Sequence, residues 1–162
     1  MKEELLRFNK NQKFLFFDYE TCHLNLASQE NKPWQLAFLL MKGEEVLDQA
    51  DYWLKWKDLN VSEGAARVTG WTRAKYEKKA GDPDKALKHF EEHLYDDSVI
   101  PVGHNILGFD VYIHNIHRKL LRKKTDYSYI TRCLDTVCIA KAIKKEIKLS
   151  AGDDTFMAIQ TH

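Results

Sequence analysis

Apolar residues change their spacing along this chain, and the change divides it into a strand-rich first third and a mixed remainder. Phe14-Leu15-Phe16-Phe17 is an unbroken apolar run of strand length, and it predicts a buried strand over about Lys13 to Tyr19. Pro33 to Met41 predicts a second strand, Gly43-Glu44-Glu45 a turn, and Val46 to Trp56 a third strand. The short connections favour antiparallel pairing of these three. Helical signals follow. Ser62 can cap a short helix running through Val68, and Thr72 a second one after the Thr69-Gly70-Trp71 break. Asp82-Pro83 has the form of a helix start, and Leu87, Phe90 and Leu94 recur at helical spacing behind it. Val99 to Gly103 reads as a short buried strand. Phe109, Ile113, Ile116 and Leu120 mark one face of a helix, and Thr131 to Asp135 reads as a fifth strand. A last helix carries Val137, Ile139, Ala140, Ile143 and Ile147. Strand-strand-strand, helices, strand, helix, strand, helix implies a sheet with an antiparallel meander, parallel additions and helices on its faces.

Composition narrows the class. At 162 residues, 44% hydrophobic and 30% charged, the chain has the make-up of one globular domain with a real core. A net charge of +1 gives no global field for a polyanion or a membrane, so nucleic acid must be met by local patches. Cys22, Cys133 and Cys138 form a sparse, odd set without C-x-x-C spacing, which suits reduced thiols in the cytoplasm. No apolar stretch approaches the ~20 residues of a membrane span, and Met1-Lys2-Glu3-Glu4 opens no signal peptide.

The chemistry starts at the end of the first strand. Asp18 and Glu20 are two apart, so on a strand they point the same way. Neighbouring carboxylates at the end of a buried strand repel and lose water, a cost that a hard divalent cation relieves. The pair alone also fits two ordinary carboxylates in a loop. Asp110 belongs to the first turn of a helix, where a carboxylate also suits the helix dipole.

Taken in order, these elements resemble the DnaQ-like DEDD 3′–5′ exonucleases. Phe17-Asp18-Tyr19-Glu20-Thr21 is similar to the family's first motif, and His104-Asn105 with Phe109-Asp110 to its second. Leu134-Asp135-Thr136 is similar to the strand-to-helix element that follows. Val68-Thr69-Gly70-Trp71-Thr72 resembles the Gly-Ile-Thr element, with Trp71 in place of Ile. Tyr19 and Pro33-Trp34-Gln35 resemble the exonuclease I branch. The ordered set spans about Phe14 to Thr136. The resemblance implies an α/β, ribonuclease H-like fold: a five-stranded mixed sheet in the order 3-2-1-4-5, strand 2 antiparallel, flanked by helices. It implies hydrolysis of phosphodiester bonds from the 3′ end of single-stranded or frayed DNA, RNA not being excluded, by two Mg²⁺ or Mn²⁺ ions about 3.5–4 Å apart. Asp18 would bridge both ions, Glu20 would hold the nucleophile-side ion and Asp110 the other. Thr21, Cys22 and Leu24 would hold the terminal nucleotide, with Trp71, His104, Asn105 and Phe109 around it. A polymerase or replication partner, and a place on the nucleoid in a bacterial or viral setting, also come with the resemblance.

The family pattern then stops short. Its third motif supplies a fourth carboxylate and a His or Tyr base on a late helix. The stretch Ser150 to His162 does not match it, because Lys148, Leu149 and Ser150 stand where the base would precede Asp153 or Asp154. The favoured expectation is a single exonuclease-like domain over 1–162, cut before the third motif and weakly active or inactive on its own. An intact non-catalytic module that binds nucleic acid or a polymerase is the alternative. Asp153 or Asp154 as a makeshift ligand ranks last.

Other candidates have plainer readings. His114 and His117 share a helix face and, with His104, invite a zinc reading, but no suitably spaced Cys joins them and helix packing is the better expectation. Arg118, Lys119, Arg122, Lys123 and Lys124, and then Lys141, Lys144, Lys145 and Lys148, suit either phosphate contact or a solvated face. Trp53, Trp56 and Trp71 could stack on bases; their apolar neighbours favour packing, with Trp71 the best exception because the family element it resembles lies close to the nucleotide pocket.

Overall fold

The computed structural model describes residues 11–28 and 31–144 of the chain. Strand β1 is Lys13–Thr21, β2 is Pro33–Lys42 and β3 is Glu45–Trp53. Helices α1 (Glu63–Thr69), α2 (Arg73–Lys79) and α3 (Pro83–Leu94) follow, then β4 (Val99–Gly103), α4 (Asp110–Leu120), β5 (Leu134–Asp135) and α5 (Thr136–Lys144). The sheet order is β3-β2-β1-β4-β5. β2 runs antiparallel to both β1 and β3, whereas β1, β4 and β5 run parallel. This is the α/β, ribonuclease H-like arrangement expected from the sequence.

Alternation along β1 sorts its two faces. Leu15, Phe17, Tyr19 and Thr21 are buried, whereas Phe16 and Asp18 are exposed and Glu20 is half-buried. Leu36, Phe38 and Leu40 of β2 continue the buried face. Phe90 of α3 meets this layer, with ring centroids 5.0 Å from Phe17 and 5.9 Å from Phe38. Ile113 of α4 joins the same core. A second cluster gathers Cys22, Trp34, Leu59 and Tyr76, with Trp53, Trp56 and Trp71 packed against it.

The helix starts follow their caps. Ser62 Oγ accepts from Ala65 N–H at the start of α1, and Thr72 Oγ1 accepts from Lys75 N–H at the start of α2. Asp82 accepts from Asp84 N–H ahead of Pro83, the first residue of α3. Gly70 ends α1 at φ +68°, a left-handed cap that glycine adopts without strain.

Two boundaries differ from expectation. β3 ends at Trp53 rather than Trp56, because Leu54 bridges to Gly81 and Lys55 N–H donates to the Gly81 carbonyl instead of to β2. β5 covers only Leu134–Asp135, since Ile130–Arg132 winds into a 3₁₀ turn. Helix α4 starts at Asp110, with Phe109 as its cap at φ −140°. The expected position Ile147, together with Lys145, Lys148, Asp153 and Asp154, lies outside the described residues. No described helix is long and apolar enough to cross a membrane.

Candidate metal and nucleotide site

Strand β1 and the start of α4 bring Asp18 within electrostatic reach of both Glu20 and Asp110. The backbone N–H of Tyr19, between Asp18 and Glu20, donates to Asp110 Oδ1 at 2.9 Å. Asp110 is 2% exposed. Burial is the main cause that pushes its carboxyl up to about 7; the Tyr19 N–H works against this, and the charge of Asp18 adds to it. Glu20 is also raised, by burial first and by Asp18 second. Asp18 is accessible as a residue, yet partial loss of water raises its carboxyl too. Asp18 thus repels both other acids, and each of the three resists ionising on its own.

The donor chemistry suits a hard divalent cation: three oxygen ligands that are costly to charge separately and favourable to charge together around a positive ion. The set is loose. Among the described residues, only Asp48, His89 and His93 bring three such ligand atoms within 4.8 Å of one another. The fit therefore rests on electrostatic coupling and donor type.

The second-motif loop is built around a buried acid. Asp135, 3% exposed, accepts N–H bonds from Asn105 at 2.9 Å, from Leu107 at 3.1 Å and from Val137 at 2.9 Å. One carboxylate thereby holds the loop between β4 and α4 and caps α5. Gly103 permits the close packing beneath this loop. A Cβ there would lie 2.0 Å from Ile106 Cγ2 and 3.1 Å from the Phe17 carbonyl. Asn105 adopts φ +62°, and its side chain occupies the space over Gly108. His104 is exposed, with Nδ1 3.0 Å from Thr136 Oγ1.

Beside Glu20 runs a groove of about 470 Å³. Thr21, Leu24 and Phe109 line it from the expected set, and Arg67, Val68 and Thr69 of α1 form the opposite wall. Leu24 is 84% and Val68 85% exposed, so two apolar side chains stand in solvent in the groove that Glu20 lines. The Thr21 hydroxyl is already committed, donating to the His23 carbonyl at 2.8 Å.

Other expected residues are placed elsewhere. Cys22 is fully buried in the second cluster; its N–H donates to Lys32 and its carbonyl accepts from Ser62. Trp71 packs on Tyr76 at 6.1 Å under the Arg73 guanidinium, and neither Cys22 nor Trp71 lines the groove. Trp53 and Trp56 pack in the same cluster, as their apolar neighbours suggest. His114 and His117 are core residues. His114 bonds Tyr129 and Glu91, and His117 bonds Tyr19 and the Pro83 carbonyl. Much of the basic run is structural as well: Arg118 is tied to Glu91 and Tyr95, and Lys123 pairs with Asp84 at 3.0 Å. The sequence reading put the Val68–Thr72 element near the pocket but singled out Trp71 rather than Arg67, Val68 and Thr69, and it missed the triple role of Asp135. An exposed Val68 on a short helix carries no sequence signal, because it matches an ordinary amphipathic position.

No protein-family model matches the sequence, and a comparison with curated proteins finds no match. Solved structures do match in fold. The metal-free form of the E. coli exonuclease I complex with single-stranded DNA superposes with a TM-score of 0.70 at 19% identity, covering 82% of this chain and 30% of that one. An apo exonuclease I structure gives 0.70 at 19% identity, covering 89% of this chain and 34% of its own. The chain therefore spans about a third of the length of the structures it matches. At this identity the likeness establishes the ribonuclease H-like fold.

Proposed function

We propose that this chain is the nuclease domain of a divalent-metal-dependent 3′–5′ exonuclease acting on single-stranded DNA or frayed duplex ends. The observation that carries the reading is the coupling of Asp18 to both Glu20 and Asp110, with Glu20 on the wall of an open groove. The fold shared with exonuclease I bound to single-stranded DNA supports it. Asp18, Glu20 and Asp110 would hold Mg²⁺ or Mn²⁺. When bound, the ions supply an activated water and charge stabilisation at the leaving oxygen. The chain's own part is placement. Leu24, Val68 and Phe109 offer apolar surface to the terminal base, and Arg67 offers a cation to a phosphate. The Asp135-held loop fixes Asn105 and, through α4, Asp110. Thr21 shapes the groove floor, while Cys22 and Trp71 support the groove from the second cluster.

The chemistry also calls for a fourth acid and a general base; Asp135, the further acid whose charge reaches Asp110, is committed to three backbone N–H groups. Residues 1–162 alone are therefore expected to cleave weakly or not at all. A non-catalytic module with this fold is the second reading, favoured by that same incomplete set. Binding of a fluorescent single-stranded oligonucleotide, with and without Mg²⁺, tests the first reading. Binding strengthened by Mg²⁺, by a free 3′ end and by an intact Asp18 supports a metal-dependent 3′-end site. Binding indifferent to all three contradicts it. A trace ladder of 3′-shortened products at protein excess, lost in Asp18→Asn, assigns an enzyme; metal-enhanced binding without any ladder assigns the module.

A further inference from the structure

Away from the acidic site, Asp48 of β3 faces two histidines of α3. His89 and His93 are one helical turn apart, so both rings descend onto the same part of the sheet. Each Nε2 lies 2.7 Å from the same oxygen, Asp48 Oδ2. Asp48 Oδ1 accepts from the Gln49 N–H at 2.7 Å, which fixes the carboxylate's orientation. Phe38 closes one side, with ring centroids 5.1 Å from His89 and 5.7 Å from His93. The three side chains are partly exposed, at 30%, 32% and 22%, so solvent reaches the group.

We propose that Asp48, His89 and His93 form a second cation site, selective for a borderline transition-metal ion such as Zn²⁺, that clamps α3 to β3. Two imidazoles and one carboxylate are the donor types Zn²⁺ prefers, and all three ligand atoms lie within 4.8 Å of one another. A tetrahedral ion with 2.0–2.1 Å bonds holds its ligand atoms roughly 3.3 Å apart, so each Nε2–Oδ2 separation need only open slightly from 2.7 Å. Water takes the fourth position on the exposed side.

Tyr52 gives the site its outer partner. The hydrogen bonds to an ionised Asp48 require both Nε2 atoms to carry hydrogen. Neutral His89 then accepts at Nδ1 from the Tyr52 hydroxyl, 2.7 Å away. Metal binding at Nε2 moves that hydrogen to Nδ1, which donates to the same hydroxyl oxygen. Tyr52 serves both states because a hydroxyl donates and accepts, and a partner of this kind orients a metal-bound histidine. The inference is independent of the nuclease reading, since these residues lie apart from Asp18, Glu20 and Asp110.

Zinc titration of the 162-residue chain, read by calorimetry and by histidine nitrogen NMR, tests it. One equivalent should bind here, apart from any zinc held by Asp18, Glu20 and Asp110, and move the His89 hydrogen from Nε2 to Nδ1. His93→Gln and Asp48→Asn should remove that equivalent, and Tyr52→Phe should weaken it by about tenfold. Asp18→Asn should leave it in place. Zinc binding that is unchanged in His93→Gln and Asp48→Asn overturns the proposal. So does an unaltered His89 tautomer at saturating zinc, which requires no variant to fold and would leave the group a hydrogen-bonded clamp only.

Discussion

The backbone N–H of Tyr19 donates to Asp110 Oδ1 at 2.9 Å, so the residue separating the two β1 acids itself anchors the third. This bond sets Asp110 in a dilemma. The carboxylate satisfies a buried donor, yet burial and the charge of Asp18 oppose its ionisation. Asp110→Asn keeps an acceptor oxygen and removes the charge, so without metal it should stabilise the fold at pH 8. Asp110→Ala leaves the Tyr19 N–H unpaired and should be about 1–3 kcal/mol less stable than Asp110→Asn. Urea unfolding in the presence of a chelator measures both.

Asp135 should prove as important to the site as the acids that would touch metal. Its carboxylate satisfies the N–H groups of Asn105, Leu107 and Val137. Asp135→Ala strips all three and should destabilise the protein by about 2–4 kcal/mol, within the range for losing a buried network. Hydrogen exchange should show the Asn105 and Leu107 amides losing protection before those of β1.

His117 makes a separate pH claim. It is buried and held at about 4, below the ordinary 6.5 of a free histidine, mainly by desolvation. The folded state therefore binds fewer protons than the unfolded one between those values. Its contribution is present above pH 6.5 and is lost as pH falls towards 4. Between pH 7 and pH 5 the loss should be about 2 kcal/mol. His117→Gln should flatten that part of the stability profile, as read by urea midpoints at the two pH values.

The groove makes a binding claim that stability does not share. Leu24 and Val68 are exposed, so Leu24→Ser and Val68→Ser should change stability by less than about 0.5 kcal/mol. If they meet a base, each should weaken oligonucleotide binding by about 3- to 10-fold, the equivalent of roughly 1 kcal/mol of apolar contact. Fluorescence anisotropy reads the binding and thermal melting the stability.

Much of this was legible in the sequence for identifiable reasons. The apolar run Phe14–Phe17 fixed β1, and the period of two then put Asp18 and Glu20 on one face. Asp82-Pro83 and the Leu87/Phe90/Leu94 spacing marked α3, and all three apolar residues are buried. What escaped depends on long-range contacts. Nothing local shows that Asp135 reaches back some thirty residues to Asn105. Nor does spacing alone show that the Cys22 backbone is consumed by Lys32 and Ser62. His89 and His93, one turn apart on α3, were passed over in the sequence analysis; their carboxylate partner lies on β3, 41 residues before His89.

The central claim is that Asp18, Glu20 and Asp110 act together as a hard-cation site. Mg²⁺ titration followed through the backbone amide signals of Tyr19, Glu20 and Val111 tests it most directly. The expected result is a saturable change at all three amides that disappears in Asp18→Asn, while signals around Asp48 stay still. The same saturable change in Asp18→Asn, or none in the unaltered chain at millimolar Mg²⁺, would contradict it.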